Sequence, residues 1–467
     1  MRLAYHAAVP SDAAPGAVPS DAAPAAVPSD ATVRLVAEAV VPIEPPGRVY
    51  RPGVVDMVDD RITWVGLAGD APPWRGPQLQ LPGLLLPGLV NCHAHSPMTL
   101  LRGVGEGLPL HDWLRNAIWP REAHLTPDDV YWGMTLACDE LLRCGVTTSC
   151  ESYFYDRQVV DAAVDAGLRC VVTPGILDPT GSGTWRRLLD TAVTLHGEAH
   201  GRAGLIEIGF GPHAAYSLPL EALVTIARLA AEVGALVNLH VAETAGEGAG
   251  VEAEHGMTVP ALLASAGILD GRVLAAHGVW LTDDDVALFA RHDVAVAHCP
   301  QSNAKLGSGV ARLPHLLRSG IRVGLGTDGP ASNNDLDVWE ELRLAPLLAR
   351  AVAGDAGALS AADALALATS GGGRALGLPV GCLRPGNLAD LIHVRLDDSR
   401  FVPVIDDADL VSHLVWSGCS SLVEDVWVGG RQVVRAGVCT TVDGRRARHE
   451  VQRRAERLAG VVARSGG

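Results

Sequence analysis

The sequence predicts an α/β protein: a (β/α)8 barrel with a small β-sandwich built from both chain ends. Three observations point there. Strand-like apolar runs alternate with helical patterns from residue 84 to residue 380, giving eight strand candidates. Short β-type runs separated by Pro- and Gly-rich turns fill residues 32–83 and recur after residue 380. Several of the eight central runs finish in His, Asp or Glu, and active sites sit at the C-terminal strand ends of such barrels.

The chain divides accordingly. Residues 1–31 contain Ala-Val-Pro-Ser-Asp three times, from Ala8, Ala17 and Ala26. A Pro- and Ala-rich stretch of this kind buries too little apolar area to offset chain entropy, so disorder is expected. Residues 32–83 form the first half of the sandwich. Residues 84–380 form the barrel, with strands ending near His95, Ser149, Ile176, His213, Glu243, His277, Ser302 and Asp328. Helical patterns intervene, such as 128–144 and 220–233. Residues 381–440 return to the sandwich, with a Gly429-Gly430 turn between two runs. Residues 441–467 alternate Arg and Glu (Arg445, Arg448, Glu450, Arg453, Arg454, Glu456) and read as a solvated surface helix.

Composition narrows the function. The chain has 467 residues, 48% of them hydrophobic, enough for a large core. A net charge of −16 argues against nucleic acid or an anionic membrane as partner. No run of 18 apolar, uncharged residues is long enough for a membrane span, and no secretory signal is evident at the N-terminus. Nine Cys without a C-x-x-C pair suit free thiols in a reducing cytoplasm. The expected partner is a small molecule, and the expected state is a homo-oligomer.

Residues 88–95 read Gly-Leu-Val-Asn-Cys-His-Ala-His, and Leu84, Leu85 and Leu86 lead into them as one buried strand. His93 and His95, two apart, project to the same side of an extended strand. Alone this is a weak signal, because a His-x-His pair at a strand end is more often structural. His240 and Glu243 end the run 236–243, His277 ends 273–277, and Asp328 ends 321–328. Together these residues offer donors for one divalent ion. Zn2+ with an open position lowers the pKa of a water to roughly 7. Asp328 serves as ligand and as base. Glu243 is placed to shuttle a proton, and His277 to polarise the new oxygen or to bind the ion. The chemistry these parts serve is hydrolysis of a C–N bond in an aromatic ring. The only Lys is Lys305, so no modified Lys on an earlier strand can bridge two ions. One metal per chain is expected. The histidines at 111, 124, 196, 200, 255, 292, 315, 393 and 413 read as structural, and His298, at the end of a strand run, stands between the two readings.

With these motifs the chain resembles the amidohydrolase superfamily, and within it the S-adenosylhomocysteine/5′-methylthioadenosine deaminases. The resemblance runs over about 84–350. It rests on Pro87-Gly-Leu-Val-Asn-Cys-His-Ala-His95, Gly209-Phe-Gly-Pro-His-Ala-Ala-Tyr216, His240-Val-Ala-Glu-Thr244, His298-Cys-Pro-Gln-Ser-Asn-Ala-Lys-Leu-Gly307 and Gly326-Thr-Asp-Gly-Pro-Ala-Ser-Asn-Asn334. It implies deamination of an adenine nucleoside. It also implies one Zn2+, less often Fe2+, held by His93, His95, His240 and Asp328, with Glu243 and His277 as acid/base and orienting groups. By the same resemblance, His213 meets purine N3 and Glu122 accepts from both ribose hydroxyls. Of two arginine places that meet an amino-acid carboxylate in such relatives, one is filled by Pro174 and the other by Arg186. The 5′-substituent is therefore left open. The rival readings are a triazine-type chlorohydrolase or aminohydrolase, another nucleobase deaminase, or a metal-binding scaffold without turnover.

Overall fold

A computed structural model describes residues 32–465; the expectation of disorder for residues 1–31 lies outside the described residues. The chain opens with β1 (Val33–Val40), β2 (Gly53–Val58), β3 (Arg61–Leu67) and β4 (Gln78–Pro87). The middle supplies β5 (Leu89–Ala94), β6 (Val146–Glu151), β7 (Arg169–Val172), β8 (Gly175–Ile176), β9 (Ile206–Ile208), β10 (Gly211–Pro212), β11 (Leu236–Val241), β12 (Arg272–His277), β13 (Ala295–His298) and β14 (Arg322–Leu325). It closes with β15 (Leu391–Val394), β16 (Val423–Val428), β17 (Arg431–Arg435) and β18 (Val438–Cys439). The architecture is mixed α/β.

Both chain ends join in one eight-stranded sheet, ordered β18-β17-β16-β15-β4-β1-β2-β3. Its seam is β4, parallel to β1 and antiparallel to β15. Leu84, Leu85 and Leu86 belong to this strand, with Leu85 opposite both Val40 and His393. They do not run on into the strand that carries His93, as the sequence suggested. Pro87 and Gly88 divide the run. A Cβ on Gly88 would lie 2.0 Å from Thr147 Oγ1, so only a glycine lets the backbone pass against β6. The Pro87-Gly88 pair is a turn signal, and reading the segment as one strand passed over it.

The middle strands form two parallel four-stranded sheets, β5-β6-β7-β9 and β11-β12-β13-β14. Isolated parallel bridges, Phe210 with Val237 and Ala94 with Asp328, link these two sheets at both outer edges. Helices separate the strands, for example Pro127–Arg143 and Leu220–Val233. The first is closed by a capping box, in which Thr126 and Asp129 satisfy each other's backbone N–H. Four strands stop three or more residues earlier than the sequence suggested. The third ends at Val172 and the fourth at Ile208, and the two-residue β8 and β10 that follow them pair with each other instead. The eighth ends at Leu325. The seventh ends at His298, because Pro300 cannot donate to a ladder and instead opens the helix Pro300–Lys305.

The helix Gly444–Ser465 keeps Arg445, Arg448, Arg453 and Glu456 exposed, as its charges suggested, and buries one stripe that they did not reveal. Ala447, Val451, Arg454 and Leu458 are buried, on one stripe packed against Pro127–Arg143. The Arg454 guanidinium reaches buried Asp129, half-buried Glu450 and exposed Asp128, so one charge read as exposed is buried and paired. A second buried pair ties the parallel strands to the chain-end sheet. Arg169 Nε and Nη2 donate to the Asp390 carboxylate at 2.7 and 3.0 Å. Among the described residues no helix is long and apolar enough to cross a membrane.

Candidate active site

Five donors converge beyond the C-terminal ends of β5, β11, β12 and β14. His93 is the penultimate residue of β5 and His95 follows the strand by one, their rings 4.8 Å apart as alternation requires. His240 lies in β11, His277 ends β12, and Asp328 sits three residues beyond β14. One donor atom each from His93, His240, His277 and Asp328 fall within 4.8 Å of one another. His95 Nε2 is 3.2 Å from both His240 Nε2 and Asp328 Oδ1.

The partners of these rings fix their tautomers. His95 Nδ1 faces the Ser152 carbonyl, and His240 Nδ1 faces the His213 carbonyl at 2.7 Å. A carbonyl only accepts, so both Nδ1 atoms carry the proton. In the neutral rings the two Nε2 lone pairs then point at each other across 3.2 Å, which is repulsive unless a cation lies between them. His93 is 0% exposed, and neither of its ring nitrogens has a hydrogen-bond partner. A buried imidazole of this kind is costly unless something else satisfies it. A divalent ion answers both observations, so the donor set fits a metal.

Asp328 is held from behind: Ser302 and Ser332 hydroxyls donate to its Oδ2 at 2.6 and 2.7 Å. Asn303 Oδ1 lies 2.9 Å from His277 Nδ1, accepting its proton and turning Nε2 toward Glu243 Oε2 at 3.9 Å. Gly326 makes room for β5, since a Cβ there would lie 2.9 Å from the His93 nitrogen. Ala242, His277 and Asp328 all adopt positive φ (50°, 72° and 61°). Such backbone costs of order 1–3 kcal/mol each and clusters at functional sites.

Glu243 is buried, and burial raises its carboxyl above the usual range against the opposing pull of His277. The Ser308 hydroxyl donates to it at 3.4 Å. The cavity that opens on His95, His240, His277, Asp328 and Glu243 is also lined by Glu122 and His213. Burial pushes the Glu122 carboxyl up to about 7 and the His213 ring down to about 4. Arg186 is not brought there. It is exposed, paired with both Glu221 oxygens at 2.7 and 2.8 Å, and lies over the Trp185 ring at 4.3 Å. Pro174 is buried behind Gly175, which does line the cavity. His298 is buried at the end of β13, away from the cavity wall, where burial and His277 push it down to about 4. His393 is structural, bonded to Asp425 and the Pro82 carbonyl.

Sequence reasoning missed Ser302, Ser332 and Asn303 as supports. Reading 294–302 as one strand hid the turn of helix that aims Ser302 and Asn303 at the site. It also missed the aromatic wall of Trp113, Trp119, Phe154 and Tyr216.

The amidohydrolase family model matches residues 84–433. The chain belongs to the amidohydrolase family. This amidohydrolase is 41% identical to the 5-methylthioadenosine/S-adenosylhomocysteine deaminase of Pelotomaculum thermopropionicum, covering 90% of this chain and 97% of that one. It is 41% identical to the 5′-deoxyadenosine deaminase of Methanothermobacter thermautotrophicus, covering 76% and 82%. Among solved structures it resembles an adenosine deaminase from Xanthomonas campestris with bound zinc, at TM-score 0.87 and 36% identity, covering 92% and 98%. An atrazine chlorohydrolase from Arthrobacter aurescens, complexed with zinc, matches at TM-score 0.83 and 25% identity, covering 91% and 100%.

Proposed function

We propose that this amidohydrolase is a metal-dependent deaminase that converts an adenine nucleoside to its inosine analogue and ammonia. It is a hydrolase acting on C–N bonds. The observation that carries the substrate reading is that Glu122 and His213 line the same cavity as Glu243 and the metal donors. A triazine has no ribose to engage Glu122, so the chlorohydrolase reading leaves that carboxyl without a use.

His93, His95, His240 and Asp328 would hold one Zn2+ per chain, or Fe2+, with His277 beside them. Bound there, the ion would supply Lewis acidity and lower the pKa of the attacking water to about 7. Asp328, steadied by Ser302 and Ser332, takes a proton from that water. Glu243 gives a proton to the ring nitrogen next to the carbon under attack, then serves the departing amine. His277, oriented by Asn303, faces the new oxygen. His213 stays neutral near pH 7 and meets purine N3, and Glu122 accepts from the ribose hydroxyls. One water is consumed, the exocyclic C–N bond breaks, and ammonia leaves.

The strand order and the two closing bridges support a (β/α)8 barrel between about residues 84 and 380. The sheet from 32–83 and 381–440 folds into a sandwich in this reading, since Leu35, Met57, Ile62, Leu391 and Trp427 share one core cluster. All nine cysteines are free, which supports a reducing, cytoplasmic setting.

Ammonia release from adenosine, 5′-deoxyadenosine, 5′-methylthioadenosine, S-adenosylhomocysteine, guanine and cytosine tests the function. Turnover of the nucleosides is expected; activity on the free bases alone would overturn the reading. Protein prepared without chelator should hold about one equivalent of Zn or Fe, as a site with three or four protein ligands requires. A need for two tightly bound ions would refute the mononuclear site. Glu122 gives a pH prediction. Its raised pKa means the ionised, accepting form is gained as pH rises through about 7. KM for adenosine should fall roughly tenfold from pH 6 to pH 8, following the ionised fraction, and Glu122→Gln should flatten that profile.

A further inference from the structure

Among the described residues, no Lys or Arg lines the cavity. Besides histidines, the ionisable side chains lining it are Glu122, Glu243, Asp328 and two tyrosines. Burial pushes the Tyr216 phenol up, which keeps it neutral. Beside Glu122 the lining is apolar. The helical segment 110–122 presents Leu110, Trp113, Leu114 and Ile118 on one face, and Phe154 and Leu177 line the same space from the loops after β6 and β8. Arg186, an arginine of the loop and helix after β7, is exposed and bound to Glu221 outside this wall.

Taking Glu122 as the ribose partner, an inference that rests on the proposed function, the carbon at the 5′ position lies next to this apolar slot. We propose that the slot receives the 5′-substituent and that it selects neutral substituents against anionic ones. A carboxylate in the slot would lose its water, find no Lys or Arg along the lining, and face the Glu122 carboxyl. A neutral thioether, methyl or amide loses little on entering and gains contact with Trp113, Ile118 and Leu177. The same lining accepts 5′-methylthioadenosine or 5′-deoxyadenosine and disfavours the carboxylate end of S-adenosylhomocysteine. Leu177, half-buried just past β8, is the wall position where a cation would change this preference.

The test is an acid and amide pair of nearly equal shape: 5′-deoxy-5′-(carboxymethylthio)adenosine and its carboxamide. For the metal-loaded protein, kcat/KM for the amide should exceed that for the acid by roughly tenfold to a hundredfold, the size of a lost charge-assisted hydrogen bond. S-adenosylhomocysteine should trail 5′-methylthioadenosine by at least about tenfold. Leu177→Arg should narrow the acid/amide ratio by about tenfold. Equal values for acid and amide, or a preference for the acid, overturn the proposal. A wild-type preference that Leu177→Arg leaves unchanged overturns the role given to Leu177. Calorimetric Kd values for the same pair read the charge preference without turnover. Failure to release ammonia from any nucleoside would therefore sink the deaminase reading, while the binding ratio still judges the slot.

Discussion

Glu243→Gln is expected to lower kcat by roughly 10²- to 10⁴-fold while bound metal and KM stay close to their original values. The carboxyl is buried beside His277 and lies at the cavity wall. Gln has the same shape and keeps a partner for the Ser308 hydroxyl, so the pocket is not disturbed. What it loses is the proton that must reach the ring nitrogen and later the amine. Glu243 is not among the clustered donors, so metal content separates a lost shuttle from a lost ion. Turnover within a few-fold of the original in metal-loaded Glu243→Gln would remove the residue from the mechanism.

Arg169→Met should destabilise the fold by about 3–5 kcal/mol without changing kcat/KM at 25 °C. Asp390 is 1% exposed and, besides Arg169, accepts the Gly429 N–H at 2.7 Å. Removing the guanidinium leaves a buried carboxylate with one donor. Adding Asp390→Leu should recover much of the loss, because an apolar pair of similar volume avoids the desolvation cost altogether. The measurement is the urea midpoint of each variant, with activity assayed on the same samples. A single variant as stable as the parent would show that the pair contributes nothing to holding the two sheets together.

The site was more legible than the scaffold around it. His93, His95, His240, His277 and Asp328 could be found because metal donors at strand ends leave a pattern of residue type and parity that survives in one dimension. Glu122 was visible through the resemblance alone; His213 was placed at a strand end, and only its role came from the resemblance. Arg186 was named on the same ground, but its place depends on where Glu221 of a different helix lies, and no local pattern records that. Ser302 and Asn303 were hidden because an apolar run followed by Pro was read as strand to its end. Arg454 was misread because charge is counted as exposure until its buried partner Asp129 is known.

The position of β4 between β1 and β15 sets a waiting time during synthesis. Leu86 of β4 pairs with Ile392, about 300 residues later. At roughly 5–20 residues per second, a ribosome needs about 15–60 s to deliver that partner. Through that interval one edge of β4 is open, with Leu84, Leu85 and Leu86 along it. A flat apolar edge of this kind is a template for unwanted pairing with other nascent chains. Fragments ending near residue 380 should therefore accumulate as aggregates, not as partially active enzyme.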